Sequence, residues 1–364
     1  MTTLAPATAP STAGHPGPAR RHLRWLLRLH LPGLYVWTAL VALLALALLW
    51  LWGPLTEAAA ESWRQYNACV DYDTCAYYQE PILRYKDVYA YTTVALNALP
   101  FLVAAWSGAA LVGRELEHGT AHLAWTQGLS PLRWLTLKLA VPAVLITAGT
   151  SLLVLLHRLA WTAGRGRIDT ADLWYDGPTL YANGPTTVAL ALAGLAAGAL
   201  AGLLLRRTLP ALLTGLVVTT GLRLLADLAM PHLWPAVTRV TSRNTGYVYD
   251  GLEADAGLVT SSGAHIADPG CGPAFDEDCA TLYDRLDVTG FYTSYHPESH
   301  HWPLQFTTAA LLLAVAAALT VAAFVLLKRS TATSHAVGAT RTTGATGAAR
   351  VTRATRATRE GTDV

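Results

Sequence analysis

The sequence predicts an all-α polytopic membrane protein with six transmembrane helices. Of its 364 residues, 52% are hydrophobic and only 14% are charged, whereas soluble domains carry about 25% charged residues. The mean hydropathy is +0.32 although long polar stretches are present, so the apolar residues must be concentrated in blocks. The 26 Lys and Arg against 24 Asp and Glu leave a net charge of +2, which excludes a strongly basic nucleic-acid binder and an acidic disordered chain.

Six apolar stretches are each about 20 residues long, enough to cross roughly 30 Å of hydrocarbon as a helix. The stretches cover approximately residues 31–55, 89–113, 139–157, 186–205, 208–229 and 304–327. We expect them to build one transmembrane domain over residues 31–329. The polar segments between them predict outer loops at residues 56–88, 158–185 and 230–303. The last of these is a large outer loop between helices five and six.

The charge distribution predicts that the amino and carboxyl ends are both cytoplasmic. With the amino end inside, the inner segments hold 16 Lys and Arg residues and the longer outer segments hold nine. Cytoplasmic loops carry such an excess of basic residues. The acidic residues divide into four inside and 19 outside, and Asp227 lies within a span.

The two ends of the chain are predicted to lie outside the bundle. Residues 1–30 form a disordered, basic lead in which Arg20, Arg24 and Arg28 recur every four residues. They indicate either an amphipathic helix on the inner leaflet or a basic cluster that only sets topology. Because this lead is long and the first apolar core exceeds that of a signal peptide, we expect an uncleaved anchor. Residues 330–364 lack apolar periodicity and predict a disordered basic tail, closer to lipid than to nucleic acid.

All four cysteines fall in the predicted outer segments, as two close pairs. We expect the disulfides Cys69–Cys75 and Cys271–Cys279, because an oxidising exterior allows each pair to close a short loop. A zinc site with four thiolate ligands is the alternative, but its usual two-residue spacings are absent.

The fourth span carries Gly194, Gly198 and Gly202, a doubled G-x-x-x-G pattern flanked by alanines. This pattern leaves one helical face without side chains, so another helix can approach closely. We expect the stripe to serve helix packing within the bundle.

The fifth span carries Arg223 and Asp227, the charged side chains that lie well inside an apolar stretch. At a spacing of four residues they can form an intramembrane ion pair, which lowers the cost of placing both charges in an apolar setting. A structural role and a role in transport are equally open.

The segment between the second and third spans, residues 114–138, is amphipathic. It begins with charges, continues with Leu and Trp, breaks at Gly119, and opens the next helix with Ser130-Pro131. A short helix lying in the inner interface fits this order, with Trp125 and Trp134 as anchors at the lipid surface.

The order R-E-x-E-x-G-T, then a short apolar run, a Thr, Ser-Pro and a Lys before a span, resembles the cytoplasmic coupling segment of type-2 ATP-binding-cassette (ABC) exporter permeases. More narrowly, the actinobacterial branch of these permeases is similar to the run A-L-V-G-R-E-L-E-H-G-T-A-H-L-A-W-T-Q. The six-span layout also agrees with the family. The residues that the resemblance assigns to coupling with an ATPase subunit are Arg114, Glu115, Glu117, Gly119 and Thr120.

The resemblance implies a multi-pass permease subunit in the plasma membrane of a bacterium. It would act as a homodimer or heterodimer and would export its substrate with ATP hydrolysed by a separate cytosolic ABC subunit. The chain has no G-x-x-x-x-G-K-[ST] motif, so we expect no directly bound cofactor and no catalytic site, with membrane lipid as the other contact.

Two other classes remain open. A sensor or immunity module would use the large outer loop as a receptor without transporting anything. A metal-dependent membrane enzyme is suggested by His296, Glu298, His300 and His301, but H-E-x-x-H is absent and adjacent histidines in a Pro-containing loop favour interface side chains. We therefore expect no metal site and no nucleic-acid partner.

Overall fold

The computed structural model describes residues 18–69, 77–126, 128–168, 171–270 and 277–359, with side chains from residue 32 to residue 331 except 277 and 278. In this part of the chain, six helical segments are long and apolar enough to cross a membrane. The predicted fold class is thereby confirmed. These six spans are Pro32–Asn67, Glu80–Glu117, Pro131–Gly164, Pro185–Leu205, Thr208–His232 and Glu298–Thr331.

The helices of the described residues vary widely in length. In chain order they are α1 (Pro18–Trp50), α2 (Thr56–Asn67), α3 (Glu80–Trp106), α4 (Arg114–Glu117), α5 (Thr120–Thr126), α6 (Pro131–Gly164), α7 (Gly177–Ala182), α8 (Pro185–Leu205), α9 (Thr208–Ala229), α10 (Glu277–Arg285) and α11 (His301–Arg359). Two π-helical segments, Leu51–Leu55 and Ser107–Gly113, continue α1 into α2 and α3 into α4. The first contains Pro54, which has no N–H to donate to the ordinary helical ladder.

Several helices run past the predicted spans. The first span continues to Asn67 and the second begins at Glu80, so much of the predicted outer loop 56–88 is helical. Hydropathy marks the part of a helix that lies in lipid, while Ala-rich or amphipathic turns extend it into the interface. At the other end, α11 continues to Arg359, beyond the predicted start of the tail. Residues 1–17 and 360–364 of the predicted ends lie outside the described residues.

The fourth span occupies the centre of the bundle. Of its most apolar 18 residues, 72% are buried, compared with 22 to 44% in the other five spans. It packs against the second, third, fifth and sixth spans. Its sequence of Ala, Gly and Leu suits this position, since small side chains let several helices approach one axis.

The glycine stripe of the fourth span faces the second span. A Cβ atom at Gly194 would lie 2.7 Å from the carbonyl oxygen of Pro100, and one at Gly202 would lie 2.9 Å from Cβ of Val112. At Gly198 it would overlap the Ala104 carbonyl oxygen and the side chain of Ser107. The backbones of the two spans are therefore in direct contact along the stripe.

The predicted outer loop 230–303 contains a four-stranded antiparallel sheet that the sequence analysis did not predict. The strands are β1 (Val237–Ser242), β2 (Leu252–Thr260), β3 (His265–Ile266) and β4 (Val288–His296), in the order β1-β4-β2-β3. A small core of Leu258, Tyr283, Val288 and Phe291 joins the sheet to α10. We call residues 233–297 the outer cap. Its central strand β4 is rich in β-branched and aromatic residues, which favour a pleated, half-buried position.

The connections between spans gather at two opposite ends of the bundle. At one end, ion pairs join the connection after the third span to the first span and to the start of the sixth, through Arg167–Glu57 and Arg165–Glu298. At the other end, Glu117 contacts Thr208, which begins the fifth span. The cytoplasmic location of this second end stays a prediction from the charge distribution.

Candidate functional site

The candidate coupling site is the elbow, which we define as residues 114–130, the last turn of the second span and its connection to the third span. It consists of α4, a turn and α5. The turn residue Gly119 has φ +70°, a left-handed conformation that glycine adopts without strain. The elbow ends at Ser130, whose side chain accepts a hydrogen bond of 3.4 Å from the backbone N–H of Arg133 and caps α6. The local sequence thus fixes both the break and the restart of the helix.

Glu115 ties the elbow to the third span. Its carboxylate accepts a hydrogen bond of 3.2 Å from Nε1 of Trp134 and forms an ion pair with Lys138. The Lys138 side chain is only 5% exposed and that of Glu115 is 20% exposed. A buried ammonium group needs such a partner, because an isolated charge in an apolar setting is costly. Trp134 is buried by this contact and by Trp125, so it is not the lipid-facing anchor that we expected.

Glu117 ties the elbow to the fifth span. Its carboxylate accepts a hydrogen bond of 2.8 Å from the backbone N–H of Thr208, and it also binds the Thr208 hydroxyl. Thr208 is the first residue of α9, where the backbone N–H groups have no partner within the helix. A carboxylate at this position also interacts favourably with the helix dipole.

The remaining surface of the elbow is open. Arg114, Gly119 and Thr120 are exposed, and Leu123 is 62% exposed. On the opposite face, the fully buried Ala121 fixes α5 to the bundle. The five predicted coupling residues therefore divide in two. The carboxylates of Glu115 and Glu117 bind neighbouring spans, whereas Arg114, Gly119 and Thr120 are exposed, with the Thr120 hydroxyl donating a 3.2 Å hydrogen bond to the backbone carbonyl of Glu115.

The charged pair of the fifth span lies in a polar cluster with the second span. Nε of Arg223 is 3.0 and 3.2 Å from the two carboxylate oxygens of Asp227. Its terminal nitrogen donates a 3.0 Å hydrogen bond to Asn97, and its guanidinium carbon lies 3.2 Å from the ring centroid of Tyr181. The Arg223 side chain is 18% exposed and that of Asp227 is 42% exposed. The arginine is thus held on three sides by protein, while the aspartate faces outward.

Sequence reasoning missed a buried network of hydrogen bonds around the amino end of the fourth span. His157 is fully buried, with Nδ1 2.7 Å from Oδ1 of Asn183 and Nε2 2.8 Å from the hydroxyl of Thr93. Gln305 of the sixth span accepts a 2.6 Å hydrogen bond from the Thr186 hydroxyl and is also fully buried. The sequence feature that could have indicated this network is the presence of a polar residue within each of these apolar stretches. Such residues in spans usually face the bundle interior and find partners there.

A cleft of about 690 Å³ opens between the first span, the connection after the third span and the outer cap, at the end of the bundle that the charge distribution predicts to be outside. Its wall combines aromatic and charged side chains, including Trp63 and Asp172. Arg165 binds Glu298 in a bidentate ion pair at its rim, and this contact raises the pKa of Arg165. The volume is within the range of ligand pockets, about 300 to 1,000 Å³. Its charges are of both signs, so it indicates no single class of ligand.

The described residues complete neither of the two predicted disulfides. Cys75 and Cys271, one cysteine from each predicted pair, lie outside the described residues, so both disulfides stay predictions. Among the residues that the structure describes, no group of three or more His, Cys, Asp or Glu side chains could hold a metal ion.

Six apolar helices define a multi-pass membrane protein. Residues 39–230, which cover most of the first five spans and the elbow, match the family described as ABC-2 membrane transporter related. The match covers more than half of the chain, and the protein belongs to this family of transporter permeases. The resemblance of the elbow sequence to type-2 ABC permeases is thereby confirmed at the level of the family. The family is consistent with the bacterial plasma membrane and with an ATP-binding partner subunit. No curated protein and no solved structure matches the chain.

Proposed function

We propose that this protein is the membrane-spanning subunit of an ABC exporter, driven by ATP that a separate cytosolic subunit hydrolyses. Two such membrane subunits, identical or different, would assemble with two ATPase subunits. The observation that carries the proposal is the elbow. Its open face is free to receive a partner, while its two carboxylates hold the third and fifth spans.

The elbow is suited to transmit a displacement because it is attached at several points. It continues the second span through a π-helical segment, contacts the third span through Glu115, and contacts the fifth span through Glu117. A partner that pushes on α5 would therefore act on three spans together. Exchange of nucleotide in the ATPase would supply that push, since lids and domains commonly close on bound nucleotide. Glu115 and Glu117 would connect the elbow to the third and fifth spans of their own chain and would not contact the partner.

Docking of the ATPase is tested by co-purification with candidate ABC ATPase subunits from the same organism, each expressed together with this chain. We expect the wild-type pair to bind and ATP hydrolysis to increase in the complex. Leu123→Glu should weaken binding at least about tenfold, because a carboxylate buried without a partner costs more than about 1.4 kcal/mol. Arg114→Glu should weaken it in the same direction through reversed charge.

The matched controls carry the same changes on the outer side. Leu173→Glu alters a leucine that is 54% exposed, and Arg239→Glu alters an exposed arginine of β1. Neither should change ATPase binding. If the elbow variants and the control variants lose ATPase binding equally, the loss reflects general damage to the protein and contradicts the proposed docking surface.

Transport itself is tested in inverted membrane vesicles that contain both subunits. Export predicts ATP-dependent accumulation of substrate inside such vesicles, whose outer surface is the cytoplasmic face. If no ATPase subunit binds and ATP drives no flux, the sensor or immunity module becomes the better proposal.

A further inference from the structure

Two histidines meet where the outer cap joins the sixth span. His296 ends strand β4 and is 0% exposed. His300 ends the short 3-10 turn Glu298–His300 and is half-buried. Their Nδ1 atoms face each other at 3.2 Å. Without a metal ion, this contact is a hydrogen bond between the two rings.

The carbonyl group of Pro231 selects the tautomer of His296. Nε2 of His296 lies 2.8 Å from this oxygen, and a carbonyl oxygen can only accept, so Nε2 carries the hydrogen. A neutral ring then has its lone pair on Nδ1, the atom that faces His300. Metal-binding histidines show the same arrangement, because donation from the second nitrogen to a carbonyl orients the ring and makes it more basic.

The distance between the two rings fits a shared metal ion. Two nitrogens bound to a tetrahedral zinc ion at its usual bond length are about 3.3 to 3.4 Å apart. Adjacent nitrogens on a square-planar copper ion at a similar bond length are about 2.9 Å apart. The observed 3.2 Å lies between these values. The nearby carboxylate of Glu298 is already engaged by Arg165, so the two imidazoles would be the protein ligands.

We propose that His296 and His300 form a two-imidazole site for a divalent transition metal, Cu²⁺ or Zn²⁺, on the outer face of the protein. Imidazole suits both ions, and Cu²⁺ is the tighter binder of the two. Water would complete the coordination, since His300 is partly accessible. The sequence analysis expected no metal because no ligand spacing was evident, and the facing Nδ1 atoms are what change that expectation.

A metal ion here would join three elements. His296 belongs to the cap, His300 lies in the first turn of the sixth span, and Pro231 lies at the end of the fifth span. A bound ion would therefore hold the cap against the bundle. With only two protein ligands the ion would be exchangeable, unlike the ion of a closed structural site with four ligands.

The test is a Cu²⁺ titration of the full-length protein in lipid nanodiscs, followed by electron paramagnetic resonance. The wild type should bind one Cu²⁺ that shows hyperfine coupling to two imidazole nitrogens. His300→Gln should weaken this binding at least about tenfold, since even loss of an outer partner of a metal ligand costs about 10- to 100-fold. His265→Gln is the matched control, because His265 is an exposed histidine of the same cap, and it should bind as the wild type does.

Stability provides an independent measurement. Zn²⁺ should raise the thermal unfolding temperature of the wild type and of His265→Gln but not of His300→Gln. His296→Gln is a second variant, which must also lose the Cu²⁺ signal. Unchanged Cu²⁺ affinity in either ligand variant, or a wild-type spectrum without coupling to two nitrogens, would overturn the proposal.

Discussion

The ion pair between Glu115 and Lys138 is expected to support the elbow energetically. In Glu115→Gln the nearly buried Lys138 ammonium loses its charged partner. Removal of one partner from a buried ion pair costs about 3 to 5 kcal/mol. The Glu115 side chain is 20% exposed, so we expect water to offset part of this cost and the loss to be about 2 to 3 kcal/mol. At about 2 °C per kcal/mol for a large domain, the unfolding temperature in nanodiscs should fall by about 4 to 6 °C.

Two further variants separate this ion pair from a general effect of the substitution. Glu61→Gln breaks an exposed pair with Arg64, whose side chains are 52% and 68% exposed, and it should cost less than about 1 kcal/mol. Lys138→Met keeps most of the apolar stem of the lysine and removes its charge. Combined with Glu115→Gln, it should recover most of the lost stability. If Glu115→Gln costs no more than Glu61→Gln, or if Lys138→Met recovers nothing, the pair does not stabilise the elbow.

Three further predictions concern the bundle and the outer side. Gly198→Ala should destabilise the protein by about 1 to 3 kcal/mol in thermal unfolding, because its Cβ atom would overlap backbone of the second span. Gly221→Ala is the control, since a Cβ atom there meets open space, and it should be neutral or slightly stabilising. Burial and the neighbouring carboxylate of Asp176 raise the pKa of Asp172, so ionisation of Asp172 opposes folding. Asp172→Asn should therefore be more stable than the wild type at pH 7. The difference in stability should shrink as the pH falls through the raised pKa toward the ordinary aspartate value. The two predicted outer disulfides should each appear as one linked peptide in a non-reducing digest, and detection of free thiols at these positions would contradict them.

The spans were predictable because each one is a local property of the sequence. A stretch of about 20 apolar residues has few alternatives to a membrane helix. The pair of Arg223 and Asp227 is similarly local, since residues four apart on a helix are neighbours. The partners Asn97 and Tyr181 were not predictable, because they depend on how the second span and α7 pack against the fifth span.

The elbow was predictable as a segment but not in its contacts. Charges, Gly119 and Ser130-Pro131 predicted a short amphipathic element between two spans, and the structure has one. No local pattern pairs Glu115 with Lys138, which is 23 positions away. That contact depends on the angle at which the chain re-enters the bundle. Acidic residues near a predicted interface were therefore assigned to a partner, although their own chain binds them.

The sheet of the outer cap was missed for a different reason. Its segments lie in a stretch of polar, Gly- and Pro-containing sequence, although both β1 and β4 are rich in β-branched or aromatic residues. The edge strand β1 is almost wholly exposed, so it shows no alternation between apolar and polar faces. Its place is set by pairing with β4, which lies about 50 residues further along the chain. Such non-local pairing leaves little trace in a local pattern.

The fifth span connects the elbow to the outer cap through named contacts. Its first residue, Thr208, is bound by Glu117 of the elbow, and the carbonyl of Pro231 at its far end is bound by His296 of the cap. The 25 residues of this span correspond to a helical length of about 37 Å. Close packing of Gly215 against the backbone of the fourth span at Gly198 leaves little room for the two helices to slide past each other. Under the proposed function, a displacement of the elbow would therefore move the fourth and fifth spans together. The outer cap would move with them, because its buried His296 binds the carbonyl of Pro231 at the end of the fifth span.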